Sequence, residues 1–169
     1  MFFATRTHEE ITQVVAVLKE LFKDCSNGPP IRMTVLSSRE RSCINSSVCG
    51  ARNVEEACVQ QVTDGSCAHY DGRAALVSRI RDHMWDIEDL VTQGKQCSGC
   101  PYYAAREMLQ GADLVIGPYN FVLDPLIRHH TGIALKNTVR CNCCQLLMCS
   151  SCVPTTAQSC VRVLELYEY

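Results

Sequence analysis

Six cysteines fall between residues 43 and 100, and four of them, Cys43, Cys58, Cys67 and Cys100, are separated by 14, 8 and 32 residues. A chain that brings such unequally spaced thiols to one site must fold the intervening segments back on themselves. Two closely spaced CxxC pairs would be the strong sign of a zinc ribbon. Here Cys97-Ser-Gly-Cys100 and Cys149-Ser-Ser-Cys152 stand 48 residues apart, so that pattern is weak. The opening "MFFATRTHEE" carries no basic segment followed by a long apolar run, and no stretch reaches the roughly 18 apolar residues that cross a bilayer. A soluble, unsecreted chain in a thiol-reducing compartment is expected. There the odd total of 13 cysteines speaks for zinc or iron–sulfur ligation rather than disulfides. The alternative is that several are small buried hydrophobes. The net charge of −2 provides no global pull towards nucleic acid or membrane, so any such partner must be argued from local patches.

The organisation along the chain is that of an interrupted α/β lobe. "FFAT" (2–5) reads as the end of a buried strand, and Thr7 with Glu10 forms a capping box that opens a helix. Ile11, Val14, Val15, Leu18, Leu21 and Phe22 fall on one face of it. "DCSNGPP" (24–30) breaks the pattern, and "IRMTVLSS" (31–38) is β-branched and alternating, the next strand. Strand, helix, strand predicts a parallel sheet. From Arg39 to Gly111 only helical pieces follow: "NVEEACVQQV", "ALVSRIRDHM", "WDIEDLVTQ" and "PYYAAREMLQG". "ADLVIGPYNFVLDPLIR" then returns to a buried strand at 114–116 and a Pro-interrupted helical turn. His129 and His130 read as an exposed helix end. After Val139 six cysteines crowd the last 31 residues, with no acidic residue before Glu165.

"FFATRTHEEITQV", "MTVLSSRERSC", "WDIEDLVTQGK", "CPYYAARE" and "ADLVIGPYNFVLDPLIR" occur in the order and at about the spacing found in the XPD-class iron–sulfur superfamily-2 DNA helicases. The resemblance covers residues 2–139 and rests on five separated motifs. It implies an α/β fold: a partial RecA-like motor lobe of the P-loop NTPase type, with a helical 4Fe–4S insertion. The expected division is 1–38 and 112–139 in the motor lobe, 39–111 in the insertion, and 140–169 as a divergent tail outside the fold. The positions matching the family's cluster ligands are Cys43, Cys58, Cys67 and Cys100; Cys49 and Cys97 do not match.

"ATRTHEEITQ" resembles the family's motif Ia, which implies contact between Arg6, Thr7, His8 and the backbone of single-stranded DNA. Free amides in a helix's first turn are suited to phosphate. Arg39, which matches a family arginine ahead of the first cysteine, is a further expected DNA contact, and Tyr102 is a candidate for stacking on a base. For Tyr119 and Asn120, in another matching motif, packing is the expected role.

No GxxxxGK[ST] loop occurs in the sequence, and "RCNCCQLLMCSSC" stands where the family continues to a DEAH box. The expectation is therefore a fragment of an ATP-dependent 5′–3′ helicase of DNA repair or replication. ATP and Mg²⁺ would belong to the complete parent protein alone. The expected partners are single-stranded or forked DNA and possible repair proteins in the nucleus, with no membrane. The competing expectations are a stand-alone zinc- or cluster-binding interaction module and a non-functional truncated product.

Overall fold

A computed structural model describes residues 1–24, 31–131 and 133, and the backbone of 139–141 and 162–164. Strand β1 (Phe2–Thr5) alternates its side chains between two cores, with Phe2 and Ala4 on one and Phe3 on the other. The expected capping box then ends the extended run. Thr7 Oγ1 accepts the Glu10 amide at 3.3 Å and the Glu10 carboxylate accepts the Thr7 amide at 3.3 Å, opening helix α1 (His8–Leu21). Ile11 and Val15 are fully buried, with Val14 and Leu18 packed beside them, whereas Leu21 is exposed, because the last turn of α1 rises off the core.

Strands β2 (Met33–Val35) and β3 (Leu114–Pro118) complete a parallel set in the order β2-β3-β1, with Met33 opposite Leu114 and Phe2 opposite Val115. Two further strands, β4 (Val139–Cys141) and β5 (Arg162–Leu164), extend the sheet antiparallel to give β2-β3-β1-β5-β4. The segment 140–169, expected outside the fold, thus contributes backbone next to β1. The physical reason is the open edge of β1, whose amides and carbonyls take up any extended chain laid beside them. The rest of that segment, and most of the break at 24–30, lies outside the described residues.

Between β2 and β3 lies an all-helical run: α2 (Arg39–Ser42), α3 (Ser46–Cys49), α4 (Val54–Thr63), α5 (Ala68–Asp71), α6 (Arg73–Ile80), α7 (Ile87–Cys97) and α8 (Pro101–Glu107). Pro101 occupies the first turn of α8, and a 3-10 turn, Met108–Gly111, closes the run. After β3 come α9 (Asn120–Leu123) and α10 (Pro125–Thr131). Asp86 caps α7 by a second reciprocal box with Asp89, and Lys19 of α1 pairs with Asp89, so α7 is pinned to α1.

One hydrophobic core joins Ile11 and Val15 of α1 and Met33, Val35 and Ile116 of the sheet to Leu76, Trp85, Leu90 and Ala104 of the helical run. A smaller one, with Phe2, Leu36, Phe121 and Val122, covers the opposite face of the sheet. The helical run therefore shares its interior with the sheet. Because β1, β2 and β3 are parallel, Arg6, Ser38 and Tyr119 follow their strands at the same, carboxyl-terminal, edge, where open α/β sheets bind ligands.

Candidate functional site

Each of the four candidate cysteines is placed by a local helix rule. Cys43 ends α2, its amide donating to the Arg39 carbonyl at 2.8 Å. Cys58 lies within α4, which Asn53 caps through the Glu56 amide. Cys67 and Cys100 occupy the cap positions before α5 and α8, and the Cys100 amide donates to the His69 carbonyl at 2.7 Å. Cys58, Cys67 and Cys100 are buried and Cys43 is half-buried. After burial, Cys58 and Cys67 both raise the Cys100 thiol, and Cys49, ahead of Cys100, raises that of Cys43, while the Asn45 contact with Cys67 Sγ and the Cys100 amide bond to the His69 carbonyl tie together the segments that carry Cys43, Cys67 and Cys100. Cys49 is exposed and donates to the Cys43 carbonyl at 3.3 Å, and Cys97 is half-buried.

Burial pushes the Cys43 thiol up to about 12, with the Asn45 backbone opposing it, and burial likewise raises Cys100 against the favourable amides of Tyr102 and Tyr103. At neutral pH these thiols hold their protons unless a cation displaces them. Asn45, which sequence reasoning missed, donates from Nδ2 to Cys67 Sγ at 3.6 Å and to Gln61 at 2.8 Å. Its signal in the sequence is the Asn of "CINSS", an N-cap residue two positions after a ligand candidate. Among the described residues no three His, Cys, Asp or Glu side chains lie close enough to share a single ion. A cluster with one thiolate per iron asks for wider spacing. Mostly buried thiols with an amide donor on one of them are the donor set such a group takes.

The loop that carries Cys100 is held by close backbone approach. A Cβ on Gly94 would stand 2.7 Å from the Gly99 carbonyl oxygen and 2.7 Å from Pro101 Cγ. One on Gly99 would stand 2.7 Å from the Gly72 carbonyl oxygen. Ser98 between them takes the left-handed conformation at φ 53°.

Beside the sulfurs lies a layer of arginines and tyrosines. Arg39 pairs with Glu55 at 2.7 Å and lies 4.3 Å from the Tyr102 ring centre. Arg106 lies 3.4 Å from the same ring and donates to the Tyr102 carbonyl at 3.1 Å; burial pulls its guanidinium down to about 10, still charged at neutral pH. Tyr102 is 7% exposed and meets Tyr103 edge-on at 5.0 Å. Its ring is filled by protein partners and presents no face to a base, which corrects the stacking expectation. Arg39 likewise serves α4 and α8 rather than an open surface.

At the carboxyl edge of the sheet, Arg6 is exposed, while its amide and that of Thr7 are already taken by the Glu10 carboxylate at 2.7 and 3.3 Å. The start of α1 is thus partly neutralised from within, and the cation available to a phosphate is the Arg6 side chain. His8 is half-buried, and burial, with Arg41 adding and Glu88 opposing, holds its imidazole below the usual range and so neutral. Arg6, His8, Ser38, Tyr119 and Asn120 line an open groove of about 270 Å³. Tyr119, expected to pack, is 47% exposed; the packed aromatic of that motif is Phe121.

The DEAD_2 family profile matches residues 3–141. The chain is 41% identical over 154 residues to the Fanconi anemia group J protein homolog of Gallus gallus. It is 36% identical over 144 residues to regulator of telomere elongation helicase 1 of Bos taurus, and 33% identical over 156 residues to the ATP-dependent DNA helicase CHL1 of Kluyveromyces lactis. Each alignment covers 82% of this chain but only 12%, 11% and 19% of those proteins, respectively. A solved structure described as truncated XPD superposes with a TM-score of 0.49 at 19% identity, over 79% of this chain and 36% of that one.

Proposed function

Because the chain belongs to the DEAD_2 family, the XPD-like superfamily-2 helicases, we propose that it forms part of the first, RecA-like motor lobe of an ATP-dependent 5′–3′ DNA helicase. In this reading 39–111 is its 4Fe–4S insertion and Arg6, Thr7 and His8 face single-stranded DNA. The observation that carries the proposal is the seating of three buried thiols, Cys58, Cys67 and Cys100, and the half-buried Cys43 on separate helical elements that Asn45 links to Cys67 Sγ and the Cys100 amide links to the His69 carbonyl. When bound, the cluster supplies iron–thiolate bonds that cross-link α2, α4, α5 and α8. Asn45 orients Cys67, the Gly94–Gly99 contact sets the height of Cys100, and Arg39 with Arg106 sets positive charge beside the sulfurs.

ATP and Mg²⁺ are assigned to the complete protein, since no GxxxxGK[ST] loop is among these residues. The whole protein would work on single-stranded or forked DNA in the nucleus, alongside repair proteins. No helix among the described residues is long and apolar enough to cross a membrane.

The test is anaerobic purification followed by iron and acid-labile sulfide analysis. Iron with matching sulfide is expected, lost when Cys43, Cys58, Cys67 or Cys100 is changed to Ser and kept when Cys49 or Cys97 is. Zinc without sulfide would favour the interaction-module reading instead. Metal-free protein indifferent to all six changes would remove the proposal.

A further inference from the structure

Cys49 stands outside the four-cysteine set, yet it is placed against a member of it. Its thiol donates to the Cys43 carbonyl at 3.3 Å. The Cys43 thiol donates to the Asn45 carbonyl at 3.9 Å, the same oxygen that accepts the Cys49 amide at 2.9 Å. The two side chains thus bracket the single turn of α3, and the Cys43 thiol feels that of Cys49 both electrostatically and as a hydrogen-bond partner. Asn45 caps this turn through the Ser47 amide at 3.1 Å, which holds the pair in register. Among the described cysteines Cys49 alone is exposed; the others are half-buried or buried.

A small oxidant arriving from solvent therefore meets Cys49 first, with a second thiol beside it. From this geometry we infer that Cys49 and Cys43 form a two-thiol redox site in the metal-free chain, closing to a disulfide on exposure to a hydroperoxide and opening again to a dithiol. The peroxide O–O bond breaks as the Cys49 sulfur takes one oxygen, giving a sulfenic acid and water. The Cys43 sulfur then displaces that oxygen as a second water, so two thiols and one hydrogen peroxide yield one disulfide and two waters. A dithiol reverses the step by exchange and is itself oxidised to a disulfide. Only five residues separate the two cysteines, so the bond closes a small ring, constrains the chain little and stays within reach of the reductant. A consequence for metal loading rests on the reading of Cys43 as a cluster ligand. While Cys43 is tied to Cys49 it has no thiolate to give to iron, and cluster assembly waits on reduction.

The experiment uses the full chain, stripped of metal with a chelator, treated anaerobically with one equivalent of hydrogen peroxide, blocked with N-ethylmaleimide and cut with trypsin. Cleavage after Arg41 and Arg52 leaves both cysteines on the peptide 42–52. Mass spectrometry is expected to find that peptide two hydrogens lighter than its reduced form and free of maleimide. Dithiothreitol before blocking is expected to return it with two maleimides. In Cys49→Ser the peptide is expected to carry one maleimide on Cys43 after the same treatment. In Cys43→Ser the oxidation is expected to stop at a Cys49 sulfenic acid that dimedone traps. The initial rate of cluster assembly from ferrous iron and sulfide, read before sulfide itself reduces the bond, is expected to be several-fold lower for the oxidised than for the reduced chain. In Cys49→Ser it should be the same with and without peroxide. Two maleimides on the peptide of the peroxide-treated unaltered chain, or Cys49 joined to a different peptide, would overturn the disulfide site and leave the cluster reading standing. Equal assembly rates for oxidised and reduced chain would overturn the gate. A reduced chain that assembles no cluster would overturn the cluster reading and the gate with it, while the mass of peptide 42–52 still decides the disulfide.

Discussion

At the scale of single residues, the same side-chain type does different work according to what surrounds it. Arg6 and Arg39 both read as DNA contacts from sequence, yet one points to solvent and the other is tied to Glu55 and Tyr102. Arg39→Ala is therefore expected to lower the thermal midpoint of the protein by several degrees while leaving the salt dependence of DNA binding unchanged; a melt and an anisotropy titration check the two halves. His8 carries a pH consequence. Its imidazole is held below the ordinary histidine value of about 6.5 by burial and by Arg41. The unfolded chain accordingly takes up a proton that the folded chain declines. Its contribution to stability is full above that value and shrinks as pH falls below it. Urea midpoints are expected to drop between pH 7 and pH 5.5, and His8→Gln should flatten that drop. The candidate cysteines and Arg6 stand out in the sequence because their signal is chemical type and spacing. The burial of Tyr102 and the exposure of Tyr119 were not legible, because what covers an aromatic ring is decided by elements remote in the chain.

Among elements, the pieces with strong local codes emerged where expected: β1, the capped α1 and the Pro101 start of α8 each follow from a few adjacent residues. The reciprocal Asp86–Asp89 box was equally available in "WDIED", and Asp86→Ala is expected to cost about 1 kcal/mol by denaturant titration. The contact of Gly94 with Gly99 was not legible, since it joins the end of α7 to a loop whose course depends on α5 and α6. Gly94→Ala inserts a methyl 2.7 Å from the Gly99 carbonyl oxygen and from Pro101 Cγ, and that carbonyl belongs to the peptide that joins Gly99 to Cys100. Iron content per chain is expected to fall by at least half in Gly94→Ala and to stay normal in Gly65→Ser. Gly65, unlike Gly94, has a positive φ and nothing near its Cβ position, so it serves as a control for backbone strain without crowding. The tail strands escaped sequence reading because three-residue strands have no period, and a sheet edge accepts them for backbone reasons alone.

For the molecule as a whole, the sheet elements and the helical run between β2 and β3 differ in secondary structure but share one core. Leu90 of α7 and Leu76 of α6 sit in the same core as Ile11 of α1 and Ile116 of β3. Leu90→Ala is expected to destabilise by roughly 2–5 kcal/mol. It should shift far-ultraviolet ellipticity and any cluster absorbance in a single coincident transition; two separated transitions would show the helical run folding on its own. A chain built in this way cannot have residues 39–111 lifted out like a cassette, because the excised ends would leave bare the apolar underside of the sheet. By the same token the colour of the proposed cluster is expected to act as a gauge for the entire polypeptide. Bleaching during heating, oxidation or ageing would then announce the loss of the sheet's carboxyl edge as well.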